Sequence, residues 1–134
     1  MQTFVPYPDL TKISKCLDYR RLCKQRLESK QILDCLKGTS SLGWRHHPAV
    51  KMWKGYEGFL TAYMNAMIVE WIARGYKNAL PLLPFKDSVE PSWWGGKIHS
   101  THRAALLAKN FAYYSKFEWS EQPEIKYFWP TKSA

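Results

Sequence analysis

The chain has 134 residues, 46% hydrophobic and 16% aromatic with seven tryptophans, so it is long enough to bury its own core and too apolar to be a disordered tail. Twenty Lys+Arg against eleven Asp+Glu leave a formal charge of +9, which points to a polyanionic partner, because each phosphate neutralised releases condensed counterions. No run approaches the roughly 18 apolar residues of a membrane-spanning helix, and the opening residues lack a secretory pattern, so a cytoplasmic protein is expected.

In chain order, Pro8-Asp9 predicts the start of a short helical turn. Asp18 is an N-cap for a longer helix running to about Lys37 and closed by Gly38. A loop, GTSSLGW, follows. One long helix is then predicted from Pro48, its first residue, to a stop at Gly75. Its apolar positions Val50, Trp53, Tyr56, Leu60, Tyr63, Met67 and Trp71 recur at three and four and read as core. Lys77 to Lys97, rich in proline and glycine, reads as an irregular surface segment. A third helix is predicted from Ser100, as N-cap, through Phe117, and the tail EQPEIKYFWPTK as extended. No alternating strand pattern competes. The expectation is a single all-α domain, 1–134, of three main helices with long ordered loops.

Three cysteines, Cys16, Cys23 and Cys35, form no CxxC pair and are odd in number, which argues against a disulfide framework or a zinc ribbon. His99 and His102 are spaced i,i+3, but no third ligand stands at sensible spacing, so neither a metal nor another cofactor is expected. P-loop, GxSxG and GxGxxG motifs are absent, which removes support for nucleotide hydrolysis and acyl transfer.

The charge concentrates in LDYRRLCKQRLE, residues 17–28, where, after the N-cap Asp18, Arg20, Arg21, Lys24 and Arg26 precede a single carboxylate, Glu28. At 100° per residue, Arg21, Lys24, Gln25 and Glu28 share one face, which continues into Ile32 and Cys35. Glu28 therefore stands where a cation-lined surface meets a covered one. Two readings are open: a half-desolvated acid placed to act on a cationic intermediate, or ordinary i,i+4 pairing with Lys24 on a solvated face. His46-His47 and His99-x-x-His102 precede or open helices and suit phosphate or proton-transfer roles. Trp93-Trp94-Gly95-Gly96-Lys97 can stack on an unpaired base or wedge into a duplex, or can cap the core. Lys126-Tyr127-Phe128-Trp129 has the same two readings.

The stretches YRRLCKQR, ARGYK, IHSTHRAALLAKN and KYFWPTK resemble, in order, the pyrimidine dimer DNA glycosylases of the phage endonuclease V type. TFVPYPD, LDYRRLCKQRLE and HPAVKMWKGYE are similar to a bacterial and phage branch of that family. The resemblance implies a compact all-α fold with its N-terminus between helices near the site. It also implies a monomer acting on damaged or distorted double-stranded DNA. The family's terminal α-amine attacks the sugar C1′, the damaged base leaves, and β-elimination nicks the strand; an α-amine, with an ordinary pKa of roughly 7.7–8.0, suits this role. Here Gln2 is too large for the usual removal of the initiator, so the nucleophile is expected to be the Met1 amine or a nearby lysine. Arg21 stands where the characterised enzymes carry their catalytic Glu, and Glu28, about 10 Å further along the helix, is the candidate acid. On this reading Arg21, His47 and His102 line the pocket, Arg20, Lys24 and Arg26 clamp phosphates, and Trp93 and Trp94 touch the distorted strand. Lys97, Arg103, Lys109, Lys126 and Trp129 are further candidate DNA contacts. The alternative is a non-catalytic DNA-binding protein on the same fold.

Overall fold

A computed structural model describes residues 1–38, 46–86 and 88–130, and among these the protein is all-helical. The helices are α1 (Leu10–Cys16), α2 (Tyr19–Lys37), α3 (Pro48–Lys51), α4 (Glu57–Ala73), α5 (Ile98–Lys109) and α6 (Phe111–Tyr114). A 3-10 turn, Ser115–Phe117, follows. None of them is long and apolar enough to cross a membrane. The loop GTSSLGW lies outside the described residues beyond its first glycine, as does the end of the tail.

Local chemistry sets most helix ends. The Asp9 carboxylate accepts the N–H of Lys12 at 2.8 Å and starts α1. Gly38 takes φ 75°, which costs glycine little, and its N–H returns to the carbonyls of Asp34 and Cys35 to close α2. Asp18 precedes α2 as expected, but its side chain does not cap it. It ion-pairs with Arg21 at 3.3 Å and receives the Tyr114 hydroxyl instead.

Two predicted helices are broken. The span from Pro48 to Gly75 is α3 and α4, separated by a turn at Gly55, whose φ of 89° no helix accommodates. The break lets Trp53 turn fully into the core, where its indole N–H donates to the Thr3 hydroxyl at 3.0 Å. The third helix begins at Ile98 rather than after Ser100, and the Ser100 hydroxyl serves Glu121 instead of a cap. That helix stops at Asn110, whose side chain accepts the Tyr113 N–H at 3.2 Å and offers the backbone an alternative to continuing. The resulting turn drives Tyr114 to full burial.

Packing is centred on α2 against α4, with α1 laid across α4. Leu22, Ile32 and Leu33 of α2 meet Leu60, Tyr63, Met64, Met67 and Ile68 of α4, all buried. Full burial of each aliphatic chain among them contributes about 1.5–3 kcal/mol. Between these helices and α5 runs the N-terminal segment Gln2–Pro6, buried throughout although it belongs to no helix. The tail, 118–130, returns across α5, with Glu124 N–H on the Ala104 carbonyl at 3.1 Å, and delivers Tyr127 to the same region.

Candidate active site

Where the N-terminal segment emerges beside α2, the surface opens into a cleft of about 730 Å³. One wall is the polar face of α2, with Arg20, Arg21, Lys24, Gln25 and Glu28. Met1 and Gln2 form the floor, and Trp71, Lys109 and Tyr127 complete the rim. Four cations and the chain's first amino group thus surround a single carboxylate.

Glu28 is half-buried. Its Oε2 accepts the Gln2 N–H at 3.3 Å and the Gln25 Nε2–H at 3.4 Å. Among the described residues no lysine or arginine ion-pairs with it, so the i,i+4 pair with Lys24 is not formed. The carboxylate is held by amides, which orient it without neutralising it. Because the Gln2 N–H is its partner, the Met1 amine lies one residue away. His47, expected to line the pocket, is not among the residues lining this cleft, yet burial and the terminal ammonium lower its pKa and Glu28 opposes them. Its Nδ1 accepts the Ala49 N–H at 3.0 Å, capping α3, and its ring meets Trp129 edge-on at 6.0 Å. The Tyr127 hydroxyl is raised chiefly by burial, with Arg21 lowering it and Glu28 raising it.

The remaining candidates divide clearly. Arg20 and Lys24 are exposed on the cleft wall and Lys109 on its rim. Arg26 is not in the cleft. It is 8% exposed, its guanidinium lies 5.0 Å from the Trp71 ring, and Nη1 donates to Asn78 Oδ1 at 2.6 Å. Arg103 donates to Glu121 and to the Pro6 carbonyl at 2.8 Å each, which ties down the tail and the N-terminal segment. Trp93 and Trp94 are half-buried braces: their indole N–H groups donate to the Met52 carbonyl at 3.2 Å and the Pro8 carbonyl at 3.1 Å. Lys97, exposed, lies over the Phe128 ring, and Lys126 is exposed on the tail. His102 is fully buried and lines no cleft.

Sequence reasoning put Gln25 on the Glu28 face and Trp71 in the core stripe but gave neither of them, nor Tyr19, a part in the site. Gln25 is 1% exposed and its Oε1 accepts the Phe4 N–H at 2.7 Å. Tyr19, 51% exposed, stacks on Tyr76, which stacks on Trp71 at 4.2 Å. A buried amide among cations on one helical face was the available signal for Gln25; the aromatic stack had none, since it joins α2 to the end of α4. Burial pushes the Cys16 thiol up to about 12, while Cys23 stands on the cleft. No group of three or more metal-ligating side chains occurs among the described residues.

This combination, an all-α domain whose cationic cleft holds both its own N-terminus and a carboxylate, suits a polyanionic ligand. Residues 1–83 match the sequence model described as pyrimidine dimer DNA glycosylase, and the chain belongs to that family. The family's function is of the DNA glycosylase kind, with DNA as substrate. Comparison with curated proteins and with solved structures yields no match.

Proposed function

We propose that the protein is a DNA glycosylase with AP-lyase activity that excises a damaged or modified pyrimidine, such as a pyrimidine dimer, from double-stranded DNA in the cytoplasm, acting as a monomer. The observation that carries this reading is the Gln2 N–H on Glu28 at 3.3 Å, within a cleft lined by Arg20, Arg21, Lys24 and Lys109. The cations hold backbone phosphates on either side of the reacting sugar.

The neutral Met1 amine attacks C1′ of the deoxyribose. As the N–C1′ bond forms, the bond from C1′ to the pyrimidine nitrogen breaks and its electron pair leaves with the base, which takes up a proton. The sugar ring then opens as the C1′–O4′ bond breaks, O4′ taking the proton that the nitrogen loses, and the cationic imine that results is stabilised by the unpaired Glu28 carboxylate in a site partly shielded from water. Glu28 or water then removes a C2′ proton, the C3′–O bond breaks, and hydrolysis of the imine frees the amine. His47, whose titration feels the terminal ammonium and Glu28, is the group proposed to relay protons.

The test is reductive trapping. With borohydride and DNA carrying a cyclobutane dimer or an abasic site, the wild type forms a covalent adduct through Met1, and Glu28→Gln lowers its yield by about 100-fold or more. Binding without adduct or nicking on either substrate would reject catalysis and leave a DNA-binding protein.

A further inference from the structure

The N-terminal segment is extended and buried, yet it joins no sheet, so its backbone must find other partners. All four polar backbone groups of Phe4 and Val5 are taken by side chains. The Phe4 N–H goes to Gln25 of α2 at 2.7 Å, and its carbonyl accepts from the Tyr63 hydroxyl of α4 at 2.8 Å. The Val5 N–H donates to His102 Nδ1 at 2.9 Å, and the Val5 carbonyl lies 2.7 Å from His99 Nδ1.

The two histidines must hold opposite tautomers. His99 Nε2 accepts the Gly95 N–H at 2.9 Å, so its Nδ1 carries the hydrogen given to Val5. His102 Nδ1 accepts from Val5, so its hydrogen is on Nε2, which is buried without a hydrogen-bond partner among the described residues. Spaced i,i+3 on α5, the two rings face the same way and hold Val5 by the peptides on either side of its Cα. Neither touches the cleft.

We infer that His99 and His102 are positioning residues, a clasp on Val5 that sets where the Met1 amine stands relative to Glu28. The inference rests on the catalytic reading above. Only Met1 to Phe4 separate the clasp from the amine, and the clasp acts with the contacts of Gln25 and Tyr63 on Phe4 to fix that short reach, whereas the DNA-facing cations stand on α2 itself. Loss of the clasp therefore lowers the rate of imine formation and spares DNA affinity.

The experiment compares His102→Leu with His102→Asn, whose amide oxygen can replace Nδ1 as acceptor. In His102→Leu the trapping rate falls about 10-fold or more while the Kd for DNA stays within about twofold, and His102→Asn recovers most of the rate. Hydrogen exchange at the Val5 amide supplies a reading that needs no chemistry on DNA: about 100-fold or more faster in the Leu variant than in wild type or Asn. Should His102→Leu fail to fold, His99→Gln, whose amide oxygen can accept the Gly95 N–H in place of the imidazole Nε2 but which loses the Val5 contact, is read by the same two measurements. A wild-type trapping rate in the Leu variant, a parallel loss of rate and affinity, or an Asn variant as slow as Leu would overturn the clasp. If wild type forms no adduct at all, the catalytic reading fails by itself, and unprotected Val5 in wild type then overturns the clasp as well.

Discussion

Acidification tests the buried state of His102 directly. Burial, with a smaller push from His99, lowers its pKa to about 3, against roughly 6.5 for an exposed imidazole. The folded-state value is the lower one, so between about pH 3 and 6.5 the unfolded chain binds a proton that the native state does not. Stability thus rises with pH across that window and is fully present above it. From pH 7.5 to pH 5, one such group withdraws about 2 kcal/mol, or 1.5 pH units at 1.36 kcal/mol each. Against the 5–15 kcal/mol typical of a domain, a loss of about that size is measurable. Burial also lowers His99 and His47, which add in the same direction. His102→Asn isolates one residue: it retains an acceptor for Val5 and removes the titration. Urea unfolding followed by tryptophan fluorescence at pH 5 and 7.5 should show a pH-dependent loss smaller in the variant by about 2 kcal/mol. An equal loss in both proteins would refute a neutral, buried His102.

Three other outcomes follow from the cleft and the threaded N-terminus. Lys24→Gln should reduce the slope of log affinity for DNA against log salt by about 0.9, whereas Arg26→Gln, removed from its burial against Trp71 and Asn78, should leave the slope unchanged and lower stability. Equal effects of the two on the slope would contradict the cleft as described. Tyr63→Phe deprives the buried Phe4 carbonyl of its donor and should cost about 1–3 kcal/mol in denaturant unfolding; a change below about 0.5 kcal/mol would show that the hydroxyl is not needed. Tyr19→Leu, which removes the exposed end of the Tyr19–Tyr76–Trp71 stack, should weaken binding to DNA with an unpaired base by about 1–3 kcal/mol and hardly alter binding to intact duplex. A uniform loss on both would assign the ring a purely structural part.

Much of this arrangement is legible along the chain, because its causes are local. Asp9 and Gly38 punctuate helices by their own backbone chemistry, and the three-and-four spacing of Leu60, Tyr63, Met67 and Trp71 identifies a buried stripe before any partner is known. The helical period also places Arg21, Lys24, Gln25 and Glu28 on one face, and that face does line the cleft. Periodicity is silent about interruption, however. Gly55 and Asn110 each sit inside an apolar pattern that runs on past them, and the breaks are stabilised by Trp53 reaching Thr3 and Tyr114 reaching Asp18, contacts about 50 and 96 residues apart in sequence.

The same limit applies to individual side chains. Arg26 and Lys24 are indistinguishable as cations on a helix, but Trp71 and Asn78 arrive beside one and leave the other in solvent. Likewise Trp93, Trp94 and His102 have residue types suited to contact DNA, and each is instead committed to a backbone group of another segment. What the residues settled alone was class, charge and the helical face that carries Glu28, since these depend on composition and on neighbours within a turn or two. Tertiary structure decided which of the polar groups are free to act. Pairing within a buried interior is a matter of proximity in space, and only the folded chain brings α2 and α5 together around the Phe4–Val5 segment of the N-terminus.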